Sequence, residues 1–459
     1  MLDFALYHLF LALGVLLALF LIAQVLRERR PPAASLAWLL FIVTLPYIAI
    51  PLYLTIGIRK IKFNNKSALY SRPTHSDQTS TIPDLDLLLD SYGIPEASEN
   101  NQVIFHTDGE EARTALWDTL DSALKQLDIA IFILADDLLG KQVCEKLKLK
   151  AQSGVQVRLL LDGVGSFLLP RHRVRELQEH GVQVLWFIPV LHRPFKGRTN
   201  LRNHRKLVLA DGQRLWTGGR NLAQEYFDSI GAQGQPWLDL SFDLQGPGVI
   251  QYQELFEEDW RFAGGQTPIP GTLPPPVSAG KSRTRLLPSG PDMPNDPLQA
   301  LLLAACFEAQ EKIVAVTPYF IPDDPIMEGL CLAARRGISV TLILPEKSNH
   351  LLPDIARNRY LRELTTSGAT IVLLPQIMCH AKALVVDQRL GLCGSANLDL
   401  RSLYLNFEAM TLFYQQDDIL WLTHWMKNLA SRGIEHKPNT PGTIGLLLEG
   451  VVVMLSFQL

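Results

Sequence analysis

The polarity of the chain changes three times along its length. Phe4 to Ala23 is an almost unbroken apolar run, interrupted at His8. A helical residue rises 1.5 Å, so a run of this length matches a hydrocarbon core of roughly 30 Å. Arg27, Glu28, Arg29, Arg30, Pro31 and Pro32 break it. Ala33 to Ile58 then carries no charge, with Trp38, Tyr47 and Tyr53 placed as interfacial anchors, before Arg59, Lys60, Lys62 and Lys66. The pattern predicts a two-helix transmembrane hairpin over 1–62, with helices at about 4–26 and 33–58. Pro46 and Pro51 kink the second helix, which a membrane tolerates. A cleaved signal peptide fits poorly, because the first run has no basic n-region and no A-x-A-like site before Arg27.

Residues 63–100 are polar and rich in Ser, Thr, Asn and Asp, and read as a tether. From Gln102 the period alternates between strand and helix. Helices are expected at Gly109 to Gln126, Lys141 to Ser153 and Arg173 to His180. Strands are expected at Ile129 to Leu134, Val155 to Asp162 and Val182 to Ile188. Apolar strands alternating with helices argue an α/β fold around a mostly central sheet.

The series then recurs at Ile313 to Thr317, Ile338 to Leu344 and Gly368 to Leu373. The chain therefore reads as a first half at 101–265, a Pro/Gly-rich linker at 266–282 and a second half at 283–440. An apolar segment at 441–459 is short for a crossing and reads as a buried or interfacial helix. The offset between matching positions is 187 at the third strands and 176 at the histidines, so the first half carries 11 extra residues before its His. They fall in the loop Pro189 to Arg202, which holds Arg193, Lys196, Arg198 and Arg202 and could meet anionic headgroups.

Composition narrows the function. The net charge of −3 lacks the basic footprint of a nucleic-acid binder. Cys144, Cys306, Cys331, Cys379 and Cys393 are scattered and form no C-x-x-C pair, so neither a disulfide framework nor a zinc site is expected. Unpaired cysteines favour a cytoplasmic body. Cys379 adjoins His380, but the matching position of the first half is Asn203, which argues against a catalytic thiol.

The chemistry lies in a repeated motif. Asn203-His204-Arg205-Lys206 continues to Asp211 and is closed by Gly218-Gly219-Arg220-Asn221. His380-Ala381-Lys382 continues to Asp387 and is closed by Gly394-Ser395-Ala396-Asn397. One H-x-K is chance-level, whereas two copies in the same register are not. On a strand, His and Lys two apart share a face. If the halves pack about a pseudo-twofold axis, two imidazoles, two ammonium groups and two amides converge. Lys206, Lys382, Asn221 and Asn397 would bind phosphoryl oxygens. His204 and His380 would supply a nucleophile and a general acid/base. This suits phosphodiester chemistry through phosphohistidine, and the sequence indicates neither a cofactor nor a metal. Asp239 and Glu408, in strand-like runs after each motif, are the candidate orienting acids, Asp239 for His204 and Glu408 for His380. Asp211 and Asp387 complete the catalytic motif but end their strands at turns, and read as structural.

These residues resemble the phospholipase D superfamily, whose hallmark is the duplicated H-x-K-x4-D motif. The two N-terminal apolar runs, Thr317-Pro318-Tyr319-Phe320-Ile321-Pro322 and the stretch Gly394 to Glu408 are similar to the bacterial cardiolipin synthases. The resemblance covers nearly the whole chain. It implies two pseudo-symmetric halves sharing one active site, an inner-membrane location and phospholipid substrates, phosphatidylglycerol first. It also implies transfer of a phosphatidyl group through His204, with His380 as acid/base. Asn349, Phe132 and Met378-Cys379 depart from the expected pattern and bear on lipid preference. A hydrolase releasing phosphatidic acid would share every motif residue. A nuclease is opposed by the charge and the hairpin, and a silent scaffold by the survival of both His and both Lys. The sequence leaves oligomeric state open.

Overall fold

The computed structural model describes residues 2–27, 32–57, 59–61, 83–189, 198–228, 237–266, 273–274, 276–293, 295–437 and 439–454. The first apolar run is one helix, Leu2–Arg27, and its stretch His8–Arg27 is long and apolar enough to cross a membrane. The second is not the single helix expected over 33–58. It is two shorter helices, Pro32–Thr44 and Pro46–Ile56, broken at Leu45 (φ −133°, ψ 58°). Pro46 is the cause, because its ring drives the preceding residue out of the helical region. Leu21, Val25, Ile42, Ala49, Ile50 and Tyr53 are buried where the three helices meet, and Trp38 stands edge-on to Tyr53. The outward side chains Phe4, Phe10, Leu16 and Phe20 are exposed.

The body is α/β and duplicated. Strand Ser98–His106 pairs antiparallel with Ser282–Ser289, and the sheet extends away from this seam in mirrored order. On the first-half side follow Ser241–Gln245, Arg214–Gly218, Leu207–Ala210, Gln126–Ile131, Gln156–Leu161 and Gln183–Trp186. On the other side follow Asn406–Phe413, Leu390–Gly394, Ala383–Val386, Lys312–Val316, Ser339–Pro345 and Thr370–Leu374. In each half four antiparallel pairings, counted from the seam strand outward, lead to two parallel ones. Two single-half sheets thus join edge to edge, and the seam lies on the pseudo-twofold.

Three expectations shift. The helix expected to reach Gln126 is Gly109–Ser122, capped by Asp108, and the next strand begins at Gln126. The reason is Asp211, whose carboxylate accepts from the amides of Leu124, Lys125 and Gln126 at 2.7–2.8 Å and turns the chain into the sheet. Asp387 repeats this with Gln310, Glu311 and Lys312. Both aspartates adopt left-handed φ, 53° and 54°. The C-terminal part of the supposed tether is folded: Pro83–Ser91 is a helix whose Leu85 and Leu89 enter the core of the second half. Its Asp86 and Asp90 bind Arg285, and Asp86 accepts from the Tyr414 hydroxyl. Residues 63–82 and most of the basic loop, 190–197, lie outside the described residues. Arg202 is buried and donates to the Ile188 and Thr199 carbonyls, so it holds backbone rather than a ligand.

Candidate active site

Each histidine is placed by the backbone of the opposite half. Asn203 lies opposite Phe407 in a short parallel pairing of Arg202–Asn203 with Asn406–Phe413. The next amide, His204 N–H, donates to the Phe407 carbonyl at 2.9 Å. Across the pseudo-twofold, His380 N–H donates to the Leu238 carbonyl at 2.7 Å, and Leu238 N–H to the Met378 carbonyl at 2.9 Å. Asn203 is itself fixed, its amide donating to Asp162 and its side chain to Asp259.

The carboxylates are exchanged in the same way. Glu408 meets His204 Nδ1 with both oxygens at 3.0 Å, and Asp239 meets His380 Nδ1 at 2.8 Å. The expected assignment of acids to histidines is therefore reversed. Each acid follows the motif of its own half but sits on a strand beside the pseudo-twofold, where its side chain reaches the other half's imidazole. With an ionised carboxylate at Nδ1, the proton belongs on Nδ1 and Nε2 is the atom left for chemistry.

The two carboxylates are supported differently. The Ser395 hydroxyl donates to Glu408 Oε2 at 2.5 Å, and the Asn406 amide reaches Oε1 at 3.3 Å. Gly219 occupies the place of Ser395, and a Cβ there would stand 2.1 Å from Asp239 Oδ1. The shorter acid fills the space that the serine hydroxyl takes in the other half. Arg220, buried beside Asp239, binds the carbonyls of His106, Thr107 and Tyr226.

The lysines complete the site. Lys206 Nζ donates to the His204 carbonyl at 2.8 Å and lies 5.7 Å from the centre of the Phe132 ring. Lys382 Nζ bonds the His380 carbonyl and also lies 2.8 and 3.0 Å from the two ring nitrogens of His380. Burial pushes Lys206 down to about 7, with Glu408 raising it and Lys382 lowering it further. Lys382 falls to about 8 for the same first reason, opposed by Asp239 and Glu408. Burial likewise lowers the imidazoles, His204 to about 4 and His380 to about 3. Glu408 and Asp239 would be raised by burial, but the adjacent imidazoles and lysines hold both at about 2. Lys382 acts on His204 and Lys206 on His380, so both histidines and both lysines share one electrostatic environment.

The motif amides are partly engaged. Asn221 donates to the Tyr226 hydroxyl at 2.8 Å and accepts from Ile133 N–H at 3.3 Å. Asn397 donates to Asp399 at 2.9 Å, while its Oδ1 is buried without a partner. Asp211 and Asp387 bind backbone amides away from the imidazoles. Cys379 is buried and its thiol is pushed up to about 12 by burial, as befits an inert residue. Among the described residues, no group of three or more His, Cys, Asp or Glu is placed to hold a metal ion.

Sequence reasoning singled out Phe132 but missed the aromatic pair at the other histidine. Phe132 stands edge-on to His204 at 4.9 Å, whereas Tyr226 and Trp237 flank His380 at 5.1 and 5.7 Å. Trp237 was legible in principle, two residues before Asp239 and so on its face of an extended run.

Comparison with known proteins identifies the family. A family model described as cardiolipin synthase, PLD-like domain, matches residues 116–260 and 302–430, once per half. A second, described as phospholipase D-nuclease N-terminal, matches residues 16–57. The chain belongs to the PLD-like cardiolipin synthase family. It is 32% identical over 434 residues to the major cardiolipin synthase of Bacillus subtilis (strain 168), covering 89% of each chain. It is 30% identical over 413 residues to cardiolipin synthase A of Shigella boydii serotype 4, covering 84% of each. A phosphatidylserine synthase of Haemophilus influenzae shares the fold, with a TM-score of 0.61 at 15% identity over 78% of this chain and 95% of that one.

Proposed function

We infer that this protein is a membrane-bound cardiolipin synthase that transfers a phosphatidyl group between two phosphatidylglycerol molecules, releasing glycerol. The observation that carries the reading is the crossed site: two His–carboxylate pairs and two buried lysines, each pair completed by both halves, in a chain with an apolar N-terminal helix. The two buried lysines lie below their ordinary values even with Glu408 and Asp239 beside them, so a further anion is favoured there, and a phosphodiester supplies it.

In this reading His204 Nε2 attacks phosphorus and the bond to the glycerol oxygen breaks. His380 gives that oxygen a proton, and glycerol leaves. The headgroup hydroxyl of a second phosphatidylglycerol then loses its proton to His380 and attacks phosphorus. The P–N bond breaks, giving cardiolipin and free His204, with no net change in protons. The division of roles is supported by the lysines. Lys382 lies against both ring nitrogens of His380, which suits proton exchange and opposes nucleophilic attack, while Lys206 bonds the His204 carbonyl and its ammonium leans over Phe132. The buried imidazoles are poor bases when the site is empty. An anionic phosphodiester between the lysines raises both, so that one of them can hold the proton for the leaving group. Lys206 and Lys382 would carry the phosphoryl oxygens, with Asn221 and Asn397 as further donors.

The same reading places both apolar runs in a bacterial inner membrane, with the body on the cytoplasmic side. A cysteine introduced as Lys66→Cys should resist a membrane-impermeant thiol reagent in intact cells, and labelling there would reverse the sidedness. For the reaction, detergent-purified protein is given phosphatidylglycerol alone. Cardiolipin with equimolar glycerol, lost in His204→Ala, is expected. Phosphatidic acid with glycerol and no cardiolipin would mean that water resolves the intermediate and the protein is a hydrolase.

A further inference from the structure

The C-terminal helix, Thr443–Met454, has twelve residues, too few to cross a hydrocarbon core. It nevertheless has an apolar outer stripe. Ile444, Leu447, Leu448, Val451 and Met454 are exposed, at the i, i+3, i+4, i+7 spacing of one helical face. The opposite face is docked. Glu449 forms an ion pair with Arg362, and Val452 packs with Ile321 and Ala356. Residue 449 meets 362 and residue 452 meets 356, so the helix runs antiparallel to Leu351–Thr366 and its last turn points toward that helix's start. Leu351 and Leu352, at that start, are also exposed. They follow Asn349, which accepts from the Tyr319 hydroxyl on the loop leading to Phe320–Ile321.

The anchor helices emerge beside the same surface. Arg59, just past their end, lies 3.9 Å from the centre of the Tyr404 ring, and the Tyr404 hydroxyl donates to Asp323. Asp323 is two residues from Ile321, against which Val452 packs. Thr55 accepts from Thr199 N–H, on the segment leading into His204. The docked side of the helix and the end of the anchor therefore both pack near the segment Phe320–Asp323.

We propose that the outer face of Thr443–Met454, together with Leu351 and Leu352, lies in the surface of the lipid bilayer and holds the mouth of the active site against it. An interfacial helix of this kind inserts its apolar stripe among the acyl chains while its docked face stays on the protein. A lipid can then reach the histidines without its chains passing through water. The idea rests on the membrane-bound reading above but not on the identity of the reaction.

The test is made on the full-length protein in vesicles. All five native cysteines are buried, so a cysteine introduced as Leu448→Cys or Leu351→Cys can be labelled selectively with an environment-sensitive fluorophore. Vesicles of phosphatidylglycerol and phosphatidylcholine with a nitroxide on the acyl chain should quench both labels. They should not quench a label at Leu149→Cys, an exposed site on the helix Leu138–Gln152. Labels at 448 and 351 open to aqueous iodide and untouched by the lipid quencher would overturn the proposal. So would self-quenching between labelled protomers that persists on dilution into excess lipid, because a second copy would then cover the stripe. As a functional check, Leu447→Glu with Leu448→Glu should lower turnover on vesicles by roughly tenfold or more, given the burial of two leucines. Turnover on short-chain phosphatidylglycerol in micelles should persist. Loss of both activities in this double variant with its 351 label unquenched by vesicles would also refute it, whereas labels at 448 and 351 quenched by the lipid in a protein with no turnover on any substrate would indict the enzyme assignment instead.

Discussion

The two halves share a strand order and a motif, yet they surround their histidines differently. His204 is held by the longer acid, Glu408, with Ser395 behind it, and has Phe132 for a wall. His380 is held by the shorter Asp239, with Gly219 in the serine's place, and lies between Tyr226, Trp237 and Lys382. Duplication supplied two equivalent imidazoles, and the packing around them made them unequal. In the proposed reaction, it is the residues behind each imidazole that distinguish the two histidines. Neither half is complete without the other, because each carboxylate serves the other half's histidine.

The largest effect that sharpens this comparison is loss of the crossed acids. Glu408→Gln and Asp239→Asn should each lower kcat by about 10³–10⁴, the scale seen when an orienting carboxylate is lost and the wrong tautomer results. If the crossing holds, Glu408→Gln should act chiefly on formation of the phosphohistidine, whereas Asp239→Asn should slow both its formation and its transfer to the second lipid, because His380 gives a proton in the first step and takes one in the second. Rapid-quench measurement of the two steps separates them, and the opposite assignment would mean that each acid serves its own half.

Next in size are the motif aspartates. Asp211→Ala and Asp387→Ala each strand three backbone amides and keep a left-handed residue without its stabilising side chain. Each should cost about 2–4 kcal/mol of stability. Thermal unfolding should report the loss, while kcat per folded molecule changes little. A large fall in kcat with an unchanged melting temperature would put these residues in the chemistry.

The pH dependence is smaller and signed. Phosphate binding requires charged lysines, and burial lowers Lys206 to about 7 and Lys382 to about 8. The quantity kcat/KM should therefore fall as pH rises through these values. A bound anion raises both lysines, so the limb in kcat should lie higher. Stability moves the other way. With folded-state values below the unfolded ones, the unfolded chain holds more protons, and stability should rise with pH between about 7 and the ordinary lysine range. A kcat/KM profile flat to pH 10 would exclude the lysines as the phosphate clamp.

The smallest effect is Ser395→Gly, which gives the second half the first half's residue. It removes one hydrogen bond to Glu408 and should cost about tenfold or less in kcat, in the phosphohistidine-forming step. No change in that step would leave the asymmetry between Ser395 and Gly219 without consequence.

Much of this fold was legible because the apolar strands recur in the same order and the motif recurs at a constant offset. His204, Lys206, His380 and Lys382 could be singled out from register alone. The crossing of the acids could not, because sequence distance favours each acid's own histidine, whereas the pairing of Asn203 with Phe407 is a tertiary fact. Leu85 and Leu89 were hidden in a stretch rich in Ser, Thr, Asn and Asp, since the short cluster Leu85, Leu87, Leu88 and Leu89 among aspartates gives no clear period until Arg285 and Tyr414 meet Asp86. The break at Leu45 was signalled by Pro46, but an uncharged run invites reading it as one helix.

The most direct test of the central account is to trap the intermediate. Protein mixed with phosphatidylglycerol labelled in the phosphorus is quenched, digested under conditions that preserve phosphohistidine, and its labelled peptide sequenced. The account predicts label on His204, weakened in both Glu408→Gln and Asp239→Asn, because forming the phosphohistidine needs the oriented nucleophile and a proton for the departing glycerol. Label on His380 would contradict it.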